Sequence, residues 1–156
     1  MAIERIYWDS TCFLALLKKE SDRVKACKGT IYKAEKNELI IVTSAITFIE
    51  VVKLPGETPL KREAENIIRD FFKNSFISIR NVDREIGIIA RDLMWKHDYL
   101  RPKDSIHIAT AIFNKITKLH TFDNDFLILN NKYGDPKLCI CEPDIEYSEQ
   151  RELFEE

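Results

Sequence analysis

Short apolar runs alternate along this chain with longer stretches of helical period, and several of the runs end on residues that cap helices or turn the backbone. That alternation leaves few folds open. Ile3 to Trp8 reads as a strand closed by Asp9-Ser10-Thr11. Glu38 to Thr43 (ELIIVT) is a β-branched run of the kind found in buried parallel strands. Phe76 to Ile79, Lys118 to Phe122 and Leu138 to Cys141 supply three more strand candidates. Between them, helical spacing is expected over Cys12–Lys19, Ser21–Lys36, Ser44–Lys53, Leu60–Asn74, Val82–His97, Lys103–Ile116 and Asn124–Asn131. Strands alternating with helices predict an α/β fold, with a parallel sheet of four to five strands covered on both faces.

At 156 residues and 45% hydrophobic content, one domain can bury roughly 68–70% of its unfolded surface and needs no metal or disulfide staple to fold. Cys12, Cys27, Cys139 and Cys141 form no CxxC pair, so reduced thiols and a cytoplasmic location are expected. Glu4, Arg5 and Asp9 occupy the stretch where a secretory apolar region would sit, and no apolar window is long enough to span a membrane. The net charge of −2 excludes a uniformly basic coat, yet it is unevenly divided. Residues 142–156 hold seven acids and one Arg, a net of −6, whereas residues 1–141 hold 23 basic and 19 acidic residues, a net of +4. The chain therefore divides into a folded domain, 1–141, and an acidic tail, 142–156.

In open α/β sheets, ligands collect outside the carboxyl ends of the strands. Asp9 follows the first strand there, Ser44 the second, and Asp123 and Asp125 follow the strand that begins at Lys118. Glu50 breaks the apolar stretch Phe48-Ile49-Val51-Val52, and Asp104 opens the nearly apolar helix SIHIATAIF. Taken singly, Asp9 and Asp104 are ordinary helix caps. Taken together, several carboxylates at one crevice repel one another, and a hard divalent cation relieves that repulsion. Oxygen-only ligands point to Mg²⁺ or Mn²⁺ rather than Zn²⁺. The glycines (Gly29, Gly56, Gly87, Gly134) stand alone with no glycine-rich phosphate loop, which counts against kinases, ATPases and dinucleotide enzymes. Phosphodiester hydrolysis is the chemistry that fits best.

With those residues in view, the sequence resembles the PIN-domain nucleases, especially the VapC-like toxins of toxin–antitoxin pairs. The strand ending in DST, then TSAITFIEV, RPKDSIHIATA and KLHTFDNDF carry the likeness over roughly residues 3 to 141. The resemblance implies a three-layer α/β/α PIN-like domain, one or two divalent ions and cleavage of single-stranded RNA. It implies Asp9, Glu50, Asp104 and Asp123 as the acidic pocket, with Asp125 as a further acid and Thr121 as a supporting hydroxyl. An antitoxin protein and a second copy of the chain are the expected partners.

Other residues bear on alternatives. Ser10 and Ser44 lack a paired base, which argues against serine nucleophiles; capping helices and hydrogen-bonding carboxylates suit them better. His107 lies three residues after Asp104 and could pair with it at a metal, but a packed or bridging histidine is expected, as for His97 and His120. Trp8, Phe13, Phe48, Phe71 and Phe72 fit core positions. Of the basic residues, Arg101 and Lys103 flank Asp104 and are expected to contact RNA. A non-catalytic PIN-like scaffold for RNA or protein is the main alternative. An aspartyl phosphatase, which needs a second acid two residues after the nucleophile, meets Thr11 there instead.

Overall fold

The strands form where apolar and β-branched residues run uninterrupted, and each feeds both faces of the sheet. The computed structural model describes residues 3–20, 22–52 and 62–144. In it β1 (Glu4–Trp8), β2 (Leu39–Ser44), β3 (Ile77–Arg80), β4 (Lys118–His120) and β5 (Cys139–Cys141) make a parallel five-stranded sheet in the order β3-β2-β1-β4-β5. The β1–β2 register pairs Ile6 with Ile41 and Tyr7 with Val42, while Trp8 lies opposite His120 on β4.

Period-two alternation sends Ile6, Trp8, Leu39 and Ile41 to one face and Tyr7 and Val42 to the other. The first face is covered by α1 (Ser10–Leu17), α2 (Val24–Glu35) and α4 (Arg62–Phe71), with Cys12, Phe13 and Phe72 in the core. The second is covered by α5 (Arg84–Lys96), α6 (Pro102–Phe113) and α7 (Asn124–Leu127), with Ile86, Leu93, Ile108 and Phe126. Trp8, Tyr7 and Phe13 are fully buried; each such side chain contributes on the order of 1.5–3 kcal/mol. This is the expected three-layer α/β/α arrangement.

The chain places β1, β2 and β3 outward in one direction, then returns to lay β4 and β5 on the other side of β1. The reversal falls between β1 and β4, and the crevice beyond their carboxyl ends is the topological switch point.

Several boundaries differ from the sequence expectation. The helix expected over Ser44–Lys53 is only α3 (Thr47–Glu50), because Ser44 stays in β2 and its hydroxyl oxygen accepts the Ile46 N–H at 3.3 Å in a local turn. The strand expected to reach Phe122 stops at His120: the Thr121 and Thr11 hydroxyls accept the Asp123 and Phe122 N–H groups and lead the chain into a turn. The helix expected through Asn131 ends at Leu127 and continues as turns. Phe48 is half exposed, not core; on its short helix its ring lies edge-on against Phe72, 5.2 Å between centroids. Ser21, residues 53–61 and the tail from 145 onward lie outside the described residues. Among the described residues, no helix is long and apolar enough to cross a membrane.

Candidate active site

Asp9 ends β1 in extended backbone and caps α1. Its Oδ1 accepts the Thr11 N–H (3.0 Å), the Thr11 hydroxyl (2.6 Å) and the Cys12 N–H (3.4 Å). Its Oδ2 accepts the Thr121 hydroxyl, and the side chain is 2% exposed. Burial pushes the Asp9 carboxyl above its ordinary range; the charge of His107 and the Thr11 and Thr121 hydroxyls pull the other way and offset part of the shift. Thr121 also accepts the Asp123 N–H at 3.0 Å, so one hydroxyl ties the end of β1 to the turn after β4.

Asp123 caps α7, its Oδ1 accepting the Asp125 N–H at 2.9 Å. Burial raises the Asp123 carboxyl, and the nearby charges of Asp104 and Asp125 raise it further, against the Asp125 N–H and Arg101. Asp104 enters from the first turn of α6 and is 5% exposed. The Arg101 backbone N–H (3.4 Å) and Nε (3.2 Å) both donate to Asp104 Oδ2. The same guanidinium stands 3.8 Å from Asp123 Oδ2. Arg101 thus bridges two of the acids with a side chain that is itself 68% exposed. Lys103 is exposed, and its charge reaches Glu50.

Glu50 ends α3. Ser10 donates to its Oε2 at 3.3 Å, and His107 Nε2 meets its Oε1 at 2.5 Å. Burial works to raise the Glu50 carboxyl, but the hydrogen bond and charge of His107, with Lys103 and Ser10, hold it below its usual value. His107 Nδ1 in turn meets the Tyr7 hydroxyl at 2.7 Å. The possible Asp104–His107 metal pair is therefore replaced: the imidazole bridges Glu50 and Tyr7, as a buried histidine with two committed nitrogens.

All five acids named from the sequence belong to elements at the switch point or are linked to it by hydrogen bonds, ion pairs or their fields. Ser10 and Thr121 donate to the Glu50 and Asp9 carboxylates, whereas Ser44 turns to the Ile46 backbone. Tyr7, Thr11 and His107 are additions. Thr11 could have been noticed as the hydroxyl two residues after Asp9, and His107 as an ionisable residue inside an almost wholly apolar helix. His97 contacts the Tyr133 hydroxyl at 2.5 Å, and buried His120 faces Trp8 Nε1 at 3.3 Å, both consistent with structural histidines.

The donor chemistry, carboxylate and hydroxyl oxygens with two carboxyls raised by burial, suits a hard divalent cation. Among the described residues, no three His, Cys, Asp or Glu side chains are gathered closely enough to hold one ion as they stand. Arg101 instead pairs with Asp104 and Asp123, and His107 with Glu50.

Compared with known families, residues 6–131 match the PIN domain model. This chain belongs to the PIN-domain family. No curated protein matches it in sequence. Among solved structures the PIN domain is similar to VapC20 of Mycobacterium tuberculosis, a sarcin–ricin loop cleaving toxin (TM-score 0.61, 18% identity, covering 78% of this chain and 92% of that one). It is also similar to a chain of VapBC2 from Rickettsia felis bound to a promoter DNA fragment (0.66, 14%, 90% and 99%). A third is a chain of DNA-bound VapBC from Salmonella typhimurium (0.60, 13%, 88% and 97%). At these identities the likeness is one of fold.

Proposed function

We propose that this PIN domain is a Mg²⁺- or Mn²⁺-dependent endoribonuclease that hydrolyses phosphodiesters of single-stranded RNA, acting as the toxin of a toxin–antitoxin pair. The observation that supports the proposal is a chain of links at the β1/β4 switch point, in which Thr121 joins the Asp9 carboxylate to the Asp123 backbone and Arg101 spans Asp123 and Asp104, in a chain of this family. Asp9, Glu50, Asp104 and Asp123 would hold one or two ions, with Asp125 as a further ligand or water-orienting acid. A bound divalent ion supplies Lewis-acid stabilisation of the phosphoryl oxygens and lowers the pKa of water.

The chain's own residues do the rest. Thr11 and Thr121 fix the Asp9 carboxylate, and Ser10 donates to Glu50. Arg101 and Lys103, exposed beside the acids, are the cations placed to meet backbone phosphates. An antitoxin and a second copy of the chain are the proposed protein partners, by analogy with the VapBC complexes.

The test is cleavage of an RNA pool by wild type and Asp9→Asn, each with Mn²⁺ and with EDTA. Cleavage by wild type with Mn²⁺ alone is the expected outcome. The alternative, a non-catalytic scaffold, draws on the way Arg101 and His107 already pair with the acids; absence of both cleavage and a Mn²⁺-induced rise in melting temperature would favour it.

A further inference from the structure

Glu50 is held in the pocket by side chains from other elements rather than by its own short helix. It closes a four-residue helix, with no side chain capping that helix at its start. Ser10 at 3.3 Å restrains one of its oxygens. The other is held by His107, which comes from the second turn of α6 and is 1% exposed. Behind His107 stands the Tyr7 hydroxyl, 2.7 Å from Nδ1 on a residue of β1 with no exposed surface. The imidazole is also wedged between rings, with Tyr7 edge-on at 5.7 Å and Phe126 tilted at 6.4 Å.

Hydrogen-bond chemistry limits the directions this chain can take. An ionised carboxylate only accepts, so Nε2 carries the proton it shares with Glu50. In a singly protonated imidazole Nδ1 is then the acceptor and the tyrosine O–H donates to it, whereas in an imidazolium Nδ1–H donates to the phenol oxygen. Tyr7 and Phe126 restrict ring rotation, and the phenol selects the tautomer. This is the arrangement by which groups behind a ligand orient it.

We propose that His107 is a positioning residue that aims the Glu50 carboxylate into the acidic pocket, with Tyr7 fixing which imidazole nitrogen carries the proton. The proposal rests on the metal reading of that pocket, and it assigns His107 itself no contact with metal or substrate.

The experiment titrates Mn²⁺ by electron paramagnetic resonance into the full-length wild type, His107→Leu, His107→Gln and Tyr7→Phe. The ¹⁵N imidazole spectra of wild type, Tyr7→Phe and Glu50→Gln are recorded without metal. His107→Leu is expected to weaken Mn²⁺ binding about 10- to 100-fold, the range for losing a group that orients a ligand. His107→Gln, whose amide can still donate to Glu50, recovers most of that loss. The wild-type spectrum should show the Nε2–H tautomer, mixed with the Nδ1–H form in Tyr7→Phe and with its Nε2–H resonance shifted in Glu50→Gln. Unchanged Mn²⁺ affinity in a folded His107→Leu, or a wild-type imidazole in any form other than the Nε2–H tautomer, overturns the proposal. Should His107→Leu not fold, Tyr7→Phe decides: normal affinity with an unmixed tautomer counts against it. If wild type binds no Mn²⁺, the metal reading fails while the imidazole spectra still judge the His107–Glu50 link. An Nε2–H resonance unmoved by Glu50→Gln then refutes that link.

Discussion

Asp9→Asn separates the charge of the pocket from its architecture. Asp9 Oδ1 accepts three donors, from Thr11 and Cys12, and an Asn carbonyl oxygen can accept all three. Asn also caps helices about as well as Asp. The other oxygen, which accepts the Thr121 hydroxyl, becomes an NH₂ group. Thr121 can adapt, because its oxygen takes a further donor and its proton can turn to Thr11 Oγ1, 3.5 Å away. Architecture is kept, then, while a charge disfavoured by burial is removed. In EDTA at pH 7 the variant should melt within a few degrees of wild type or above it, as RNA cleavage disappears. Asp9→Ala removes the cap as well and should lose on the order of 0.5–2 kcal/mol, or about 2–6 °C for a chain of this size. The pH dependence follows from sign. A carboxyl raised in the folded state contributes stability that is full below its unfolded pKa and lost as pH rises through its folded pKa. The advantage of Asp9→Asn over wild type should therefore grow from acid toward neutral pH. Thermal unfolding followed by circular dichroism at stepped pH measures it. An Asn variant less stable than the Ala variant, or an advantage that grows toward acid, would refute the reasoning.

Other perturbations test neighbouring links. Thr121→Val removes the proton given to Asp9 and the acceptor of the Asp123 N–H; it should cost about 1–3 kcal/mol in urea unfolding and raise the Asp9 pKa further. His120, buried and lowered to about 4 mainly by burial, binds protons more readily in the unfolded chain. Its own contribution to stability should fall by about 2–3 kcal/mol between pH 6.5 and 4, seen as the difference between wild type and His120→Gln when both are unfolded in urea across that range. Arg101→Gln should cost at most about 1 kcal/mol, since the side chain is 68% exposed and screened by solvent. In the Asp9→Asn background it should also flatten the salt dependence of single-stranded RNA binding by about 0.7–1 in the log–log slope.

The strands and their parallel arrangement were legible because their signals are local. ELIIVT is β-branched wherever it lies, and β2 includes most of it. Asp9-Ser10-Thr11 ends a strand and starts a helix by its own hydrogen bonds. The shortfalls came where a side chain competes with the backbone. Ser44 in β2 takes up the Ile46 N–H, and Thr121 and Thr11 take up N–H groups just past β4, so a helix starts late and a strand ends early. Apolar character alone misplaced Phe48, because a helix of four residues cannot turn Phe48, Ile49 and Glu50 all toward cover.

At the site, residue types were legible and their pairings were not. Carboxylates at strand ends and a helix mouth announce themselves by position along the chain. What neutralises them depends on contacts across the fold: His107 lies 57 positions from Glu50 and 100 from Tyr7. The two partners of the acids also differ in kind. Arg101 is tied to Asp104 by a spacing of three residues but is mostly solvated. His107 is buried between two elements and held at both nitrogens. Solvent screening makes the first cheap to lose. Losing the second leaves Glu50 with Ser10 as its remaining side-chain donor and takes the imidazole from the buried Tyr7 hydroxyl, which is the costlier change. A substitution at Arg101 should thus register in RNA binding and hardly in stability, and one at His107 in the order of the pocket itself.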